Sequence, residues 1–277
     1  WFLFPIKVLW PTILLRNVGV EKPRMKLTIL GCGTSTGVPI IGCKCVVCAS
    51  PHPRNKRTRS SLLIENGASI LIDTSTDLRT QALRHGLERL DGVLFTHHHA
   101  DHVHGIDDLR AFNMAQQGAV IPCYGNKATI SRIRSIFKYI FTQDPNDGWK
   151  PKLSMRVVKG MFKLGGIEVQ PINILHGKDT ILGYRIGNMA YLTDCSSIPK
   201  ESEVALKGLD LLILGALRHK PHPTHFSISQ AIEAALAVRA RRTVFTHLGH
   251  NVDYEADNAS LPQGVELAYD GMVMEAE

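Results

Sequence analysis

Between Phe95 and Gly105 the chain reads FTHHHADHVHG, with five histidines and one aspartate inside eight positions. Neutral imidazole nitrogen and carboxylate oxygen are donors for zinc, manganese or iron, with geometry choosing among them. His97 and His99 alternate, and Asp101 and His102 follow two residues after the second histidine. One cation cannot take all four groups from so short a loop, whereas two adjacent cations can share them. Cations roughly 3.5–4 Å apart stabilise both oxygens of an in-line displacement and pull the pKa of a bound water from about 15.7 towards about 7. The chemistry this string points to is hydrolysis.

A second donor cluster is GCKCVVCAS, which holds Cys43, Cys45 and Cys48. Cysteines this close rarely pair with one another in structural disulfides, so the cluster implies a reducing, cytoplasmic setting and a metal. Cys32, Cys123 and Cys195 are scattered and read as buried free thiols.

The elements that must position these groups are short and apolar. KLTILG, SSLLIEN, ASILIDT and GVLFTH read as strands, with a helix near DLRTQALRHG. AVIPCYG follows, then a helix near KATISRIRSIFKYI and strands LSMRVV, IEVQPINIL, ILGYRIG and MAYLTD. The last third alternates DLLILGAL, the helix SISQAIEAALAVRA and RTVFTH, and ends in a short helix or loop and a strand hairpin at GMVMEAE. Ile228, Ala231, Ile232, Ala235 and Leu236 recur at helical spacing and predict one face packed on a sheet. Two strand-rich halves, each with helices, predict an α/β fold of two sheets packed face to face and covered outside by helices. His97, Asp194 and His247 each follow directly on an apolar strand, so several strand ends converge on one rim.

Length suits one large domain: 25–277 is read as the fold, with Met25 as its natural start, and 1–24 as an apolar extension outside it. That extension is interrupted by Lys7, Arg16, Pro5 and Pro11, so no membrane span is expected. The net charge of +7 favours anionic partners. No long basic run or aromatic–basic alternation marks a nucleic-acid groove, and a small phosphorylated substrate fits the charge as well as RNA does.

The histidine string resembles the signature of the metallo-β-lactamase superfamily, whose fold is an αβ/βα four-layer sandwich with two metals at its rim. The resemblance runs from about Leu27 to the C-terminus. It implies that Asp73 supports the site, that His97, His99 and His176 take one divalent metal ion (Zn or Mn), and that Asp101, His102 and His247 take the other. Asp194 matches the carboxylate between them, and Asp101 counts as catalytic as well as ligand. Only seventeen residues separate His176 from Asp194, room for a strand pair but not for the long arm of tRNA-processing members. Only thirty residues follow His247, too few for the helical domain of glyoxalase II-type members.

GCGTSTGVPIIGCKCVVC resembles the opening of the PhnP-type cyclic phosphodiesterases. That resemblance implies one structural Zn on Cys43, Cys45, Cys48 and His250, a closed tetrahedral site that links folding to metal. It also aligns His225, in RHKPHPTHFSISQAI, with a non-ligand histidine just before a helix capped by Ser227. A histidine there can protonate a leaving alkoxide, a role worth about 10²–10⁴-fold. The branch implies phosphoribosyl 1,2-cyclic phosphate as leading substrate and suggests a homodimer. His219 and His222 read as solvated loop residues.

Gly31–Gly37, with Thr34 and Ser35, is either an anion-binding nest or a structural turn. Lys178 and Arg218 are candidate phosphate contacts, with plain solvated charge as the alternative. Arg54, Lys56, Arg57 and Arg59 read as a solvated basic face, with a place near the pocket mouth as the alternative. His52, His85 and His98 are assigned no chemistry, and His104 can orient a ligand. The rival readings are a nucleotide or RNA-end phosphodiesterase, a lactonase or thioesterase, and a non-catalytic metal-binding module. The last is disfavoured because every expected active-site ligand is present.

Overall fold

The computed structural model describes residues 24–142 and 148–276. The extension read over 1–24 lies outside the described residues apart from Arg24, whose Nη1 stands 3.4 Å from Glu275 Oε2. Strands β1 (Met25–Gly31), β2 (Ser61–Glu65), β3 (Ser69–Ile72), β4 (Gly92–Leu94), β5 (Ile121–Gly125) and β6 (Leu153–Val157) lie in one sheet. The second holds β7 (Phe162–Leu164), β8 (Ile167–His176), β9 (Asp179–Ile186), β10 (Met189–Leu192), β11 (Leu211–Gly215), β12 (Arg242–Thr246) and β13 (Val265–Leu267). The last described strand, β14 (Val273–Ala276), returns to the first sheet beside β1, giving seven strands in each among the described residues. The strand pair anticipated between His176 and Asp194 is β9 and β10.

Strand alternation sorts the core into layers. In β11, Leu211 and Ile213 face the other sheet, where they join Leu27, Ile29 and Ile64. Leu212 and Leu214 face outwards, against the helix α8 (Ile228–Val238). Because both faces are covered, these strands read as near-continuous apolar runs.

The helices form the outer layers. On the first sheet lie α2 (Leu78–His85), α4 (Leu109–Ala115) and α5 (Lys127–Ile136), with short turns α3 (Ala100–Val103) and α6 (Lys138–Phe141), while the turn α1 (Val46–Ala49) packs within the cysteine loop. On the second lie α7 (Lys200–Glu203), α8 (Ile228–Val238) and α9 (Tyr254–Ser260). The helical segment from Ala100 to Ala115 was not anticipated, because its donors dominate its sequence. Its signal is Val103, Ile106, Leu109 and Phe112, three apart and at most 5% exposed.

Two expectations need correction. The C-terminal strands are not a hairpin: β13 runs parallel to β12, with Thr243 opposite Val265, while β14 runs antiparallel to β1, with Met25 opposite Ala276. Each completes the open edge of a different sheet, a choice that a turn between two short apolar runs does not encode. Leu236 is 60% exposed. At 3.6 residues per turn it lies about 80° round α8 from Ile228, past the edge of the buried stripe.

Candidate metal centres and active site

The donors sit where strand ends meet. Asp73 follows β3, His97 follows β4 by two residues, His176 ends β8, Asp194 follows β10 by one residue, and His247 follows β12 directly. Asp73, Asp194 and His247 hold left-handed backbone, with φ of 62°, 54° and 58°. Aspartate and histidine tolerate that region better than most residues, though it still costs roughly 1–3 kcal/mol each. The turn swings each side chain from the sheet onto the rim.

Two donor sets adjoin there. His97, His99 and His176 each bring a ligand-type atom within 4.8 Å of the others, and so do Asp101, His102, Asp194 and His247. Asp194 faces both sets. Its Oδ1 is 3.2 Å from His102 Nε2 and 3.2 Å from His247 Nδ1, while Oδ2 is 3.8 Å from His97 Nε2. His102 Nε2 and His97 Nε2 are buried and lack a hydrogen-bond partner among the described residues. Buried, unbonded imidazole nitrogens are costly unless a ligand occupies the space between them, so the residues fit cations.

The electrostatics agree. Burial, aided by neighbouring His102, pushes the His97 imidazole well below its ordinary range, and burial pushes His247 down to about 4. Burial alone would raise Asp194, but His247 and His102 outweigh it and hold the carboxyl well down. His97 and His247 are thus neutral beside an ionised carboxylate, as metal ligation needs. Burial alone would lower His102, but the carboxylates of Asp194, Asp101 and Asp73 outweigh it and raise that imidazole well above its ordinary range, so a cation there must displace a proton.

A supporting shell fixes the ligands. Asp73 accepts from Thr96 N at 2.8 Å and Thr96 Oγ1 at 2.7 Å, and its Oδ2 is 2.7 Å from His102 Nδ1. That bond turns His102 Nε2 towards the donor set. His176 Nδ1 donates to Thr224 O at 2.8 Å, which points its other nitrogen into the site. Ser60 Oγ lies 3.2 Å from His247 Nδ1, and Thr34 Oγ1 lies 3.2 Å from His247 Nε2. The helical turn after the histidines is clipped to the loop after Asp73, since Thr74 O accepts from Gly105 N at 3.0 Å. A Cβ at Gly105 would stand 2.1 Å from Ser75 O, so the approach requires glycine. Thr96 and Ser60 were missed. The signal for Thr96 is a threonine directly before three of the strand-end donors, at Thr96, Thr193 and Thr246; Ser60 carries no such signal.

His225 lies beside this site. Its Nε2 is 3.2 Å from Asp194 Oδ2, and its ring stacks on His247 at 5.1 Å. Ser227 caps α8 with a reciprocal capping box, which fixes the approach of the loop carrying His225.

The cysteines form a separate group. Cys43, Cys45 and Cys48 Sγ lie 3.4, 3.5 and 3.7 Å from His250 Nδ1. The Cys48 N–H lowers Cys45 to about 6, giving a thiolate at neutral pH, while burial raises Cys48 to about 11. Three sulfurs around one imidazole suit a closed tetrahedral cation site.

The remaining candidates divide. The N–H groups of Gly33, Thr34 and Gly37 bond to Thr58 O, Leu248 O and Thr34 O, and that of Cys32 to Asp270. Those amides make a structural turn rather than an anion nest. Ser35 is exposed, and its carbonyl accepts from Arg59. Lys178 is exposed in the turn after His176. Arg218 donates to Lys220 O and Pro221 O, closing its own loop.

The basic cluster is a solvated face only in part: Arg54 and Lys56 are exposed, whereas Arg57 is not. Arg57 is 2% exposed and donates to Gly249 O, Asn55 Oδ1 and Arg54 O. Arg54 lies over the Tyr254 and Tyr269 rings at 4.8 and 4.2 Å, and Arg59 pairs with Asp77 at 3.0 Å. His222, read as solvated, stands 3.1 Å from His225. His52, His85, His98 and His104 touch no donor set, although the rings of His98 and His99 are 5.6 Å apart.

Fold and site together define a hydrolase-fold protein with adjacent histidine–carboxylate donor sets on the rim of an αβ/βα sandwich. Residues 68–248 match the Beta-lactamase superfamily domain. A solved diphosphatase from the PhnP family is 44% identical, with a TM-score of 0.86 over 91% of this chain and 97% of that one. The chain belongs to the metallo-β-lactamase superfamily, in its PhnP branch. An octanoyltransferase from Porphyromonas gingivalis is 42% identical over 90% of this chain, which spans about half (51%) of that relative's length. Zinc-bound PqqB from Methylobacterium extorquens, 19% identical with a TM-score of 0.70, covers 90% of this chain and 99% of its own and shares the fold. Among the described residues no helix is long and apolar enough to cross a membrane.

Proposed function

We propose that this chain is a two-metal phosphodiesterase that opens small cyclic phosphodiesters, with phosphoribosyl 1,2-cyclic phosphate as the leading substrate. The observation that carries the reading is Asp194, whose two oxygens face different donor sets while His225 approaches the second of them. His97, His99 and His176 would hold one cation and Asp101, His102 and His247 the other, with Asp194 shared. Bound cations would supply an activated water and neutralise the phosphoryl charge. His225, aimed at the same rim, holds a proton on Nε2 for the departing oxygen. Asp73, Thr96 and Thr224 keep the ligand imidazoles oriented, and Cys43, Cys45, Cys48 and His250 would take a structural zinc.

The 44% identity to a PhnP-family diphosphatase favours a second reading, cleavage of a diphosphate bond by the same groups. Phosphorus NMR separates the two. Metal-loaded protein is given 5-phosphoribosyl 1,2-cyclic phosphate, a 2′,3′-cyclic nucleotide and a nucleoside diphosphate in turn, each beside His225→Ala. Ring opening of the first, lost in the variant, supports the proposal. Cleavage of the diphosphate alone moves the assignment to the second reading. Turnover of an octanoyl thioester with none of the phosphates would overturn both.

A further inference from the structure

The glycine-rich segment 31–37 spends its amides on structure, and the fold gives it a task beside the rim. Gly33 lies between two other stretches of chain, in parallel bridges to Arg59 on one side and Leu248 on the other. Its N–H donates to Thr58 O at 2.7 Å, and its carbonyl accepts from Ser60 Oγ at 3.0 Å. On the other side Thr34 N donates to Leu248 O at 3.2 Å, and Leu248 N to Cys32 O at 2.8 Å. A Cβ at Gly33 would stand 2.9 Å from the carbonyl oxygens of both Arg57 and Thr58, so the packing requires glycine. His247 sits at the edge of this patch. Its backbone is held through Leu248, and its ring has Thr34 Oγ1 and Ser60 Oγ each 3.2 Å from a different nitrogen.

A carboxylate from the loop between β13 and β14 ties the first two stretches together. Asp270, whose side chain is 5% exposed, accepts on Oδ1 from Cys32 N at 3.1 Å and Cys32 Sγ at 3.4 Å. On Oδ2 it accepts from Thr58 N at 2.7 Å and Thr58 Oγ1 at 2.6 Å, and Arg84 Nη1 stands 3.5 Å from the same oxygen. The Thr58 hydroxyl accepts from Gln81 Nε2 at 2.9 Å, and its own hydrogen goes to Asp270 rather than to Leu30 O at 3.3 Å. A buried carboxylate is costly unless donors meet it, and here the donors come from both stretches.

We infer that Asp270 is a positioning residue that sets the His247 imidazole by clamping stretches 32–34 and 58–60, which flank it. The inference rests on the reading of His247 as a ligand of the second cation. Asp270 touches neither substrate nor cation and acts through Cys32 and Thr58.

The test compares Asp270→Asn with wild type by two measurements on the zinc-loaded protein, amide hydrogen exchange and zinc affinity in competition with a chelator. The single oxygen of Asn cannot accept from both Cys32 N and Thr58 N. Exchange at Gly33, Thr34 and Leu248 should therefore quicken about tenfold or more. Of the two zinc equivalents at the rim, one should be held about tenfold more weakly, the low end for a residue that orients a ligand, and the other kept. In His247→Gln that equivalent is already weak, and adding Asp270→Asn should weaken it no further. Thr58→Val keeps the carboxylate and removes one of its bonds. It should show the same pattern to a smaller degree, and it serves if the Asn variant does not fold. Arg84→Ala removes only the exposed cation and should leave both measurements at wild type. Unchanged exchange, or lost stability with both rim affinities kept, would overturn the inference. So would losses that add in the double variant or that appear equally in Arg84→Ala. If the wild type takes a single rim cation, the two-cation reading fails, and Asp270 is upheld only by a weaker hold on that cation in Asp270→Asn.

Discussion

Replacing Asp73 by Asn removes one charge and almost no volume, and the structure says what that should cost. The carboxylate takes three bonds, two from Thr96 and one at 2.7 Å from His102 Nδ1. An amide keeps one acceptor oxygen and gains an NH₂ group. If the amide oxygen takes the place of Oδ1 and keeps the Thr96 N–H, the NH₂ faces Thr96 Oγ1 and His102 Nδ1, and His102 must move its proton to Nε2, the nitrogen in the donor set. If the amide flips, the NH₂ faces the Thr96 N–H and that bond is lost instead. Either way a charge-assisted hydrogen bond of about 1.5–3 kcal/mol goes, in line with the 10–100-fold losses in metal affinity typical of such supporting groups. Asn is the suitable probe because Asp73 has a φ of 62°, which Asn tolerates and Ala does not, so backbone strain is held constant. The assay is competition for zinc against a colorimetric chelator, read with metal counts by mass spectrometry. The cysteine group is an internal control: its affinity should stay at the wild-type value while that of the rim falls 10–100-fold. Wild-type affinity at the rim in Asp73→Asn would refute the argument that Asp73 orients a ligand.

Three further outcomes follow from the same geometry. Cys43→Ser should lower bound zinc by one equivalent and reduce thermal stability, with the rim metals kept; unchanged zinc content would remove Cys43 from the ligand set. Arg57→Met should destabilise the fold by about 2–4 kcal/mol in denaturant titrations, because Gly249 O and Asn55 Oδ1 lose a buried donor. A change below 0.5 kcal/mol, typical of a surface site, would restore the solvated-face reading. His85 concerns pH. Burial first, then Arg84, hold its pKa below the ordinary 6.5, and its Nε2 is buried without a hydrogen bond among the described residues. A folded state that prefers neutral histidine is at full advantage above pH 6.5 and loses stability as pH falls through that value towards the folded pKa. His85→Leu should flatten the fall in unfolding free energy on the acid side of pH 6.5, and an unaltered slope would mean that His85 titrates alike folded and unfolded.

Much of this protein was legible without coordinates, for a physical reason. Strand ends that must carry metal donors write apolar runs followed by His or Asp, and GVLFTH, MAYLTD and TVFTH show both parts in one dimension. The histidine string and the cysteine triplet are local, so ligand chemistry alone limits what they can be. The two-sheet architecture was visible because buried strands are apolar on both faces.

What the chain could not declare in one dimension were choices between equivalent local patterns and contacts across long separations. β13 and β14 look like a hairpin; only the open edges of β12 and β1 decide that they part. Arg57 looks like its exposed basic neighbours until Gly249, 192 residues away, supplies the carbonyl that buries it. His222 is one more loop histidine until the fold sets its Nδ1 3.1 Å from that of His225. Residue type and spacing determined which groups can bind metal or move a proton. Which of them face each other, and which nitrogen each presents, is decided by hydrogen bonds that only tertiary structure brings within reach.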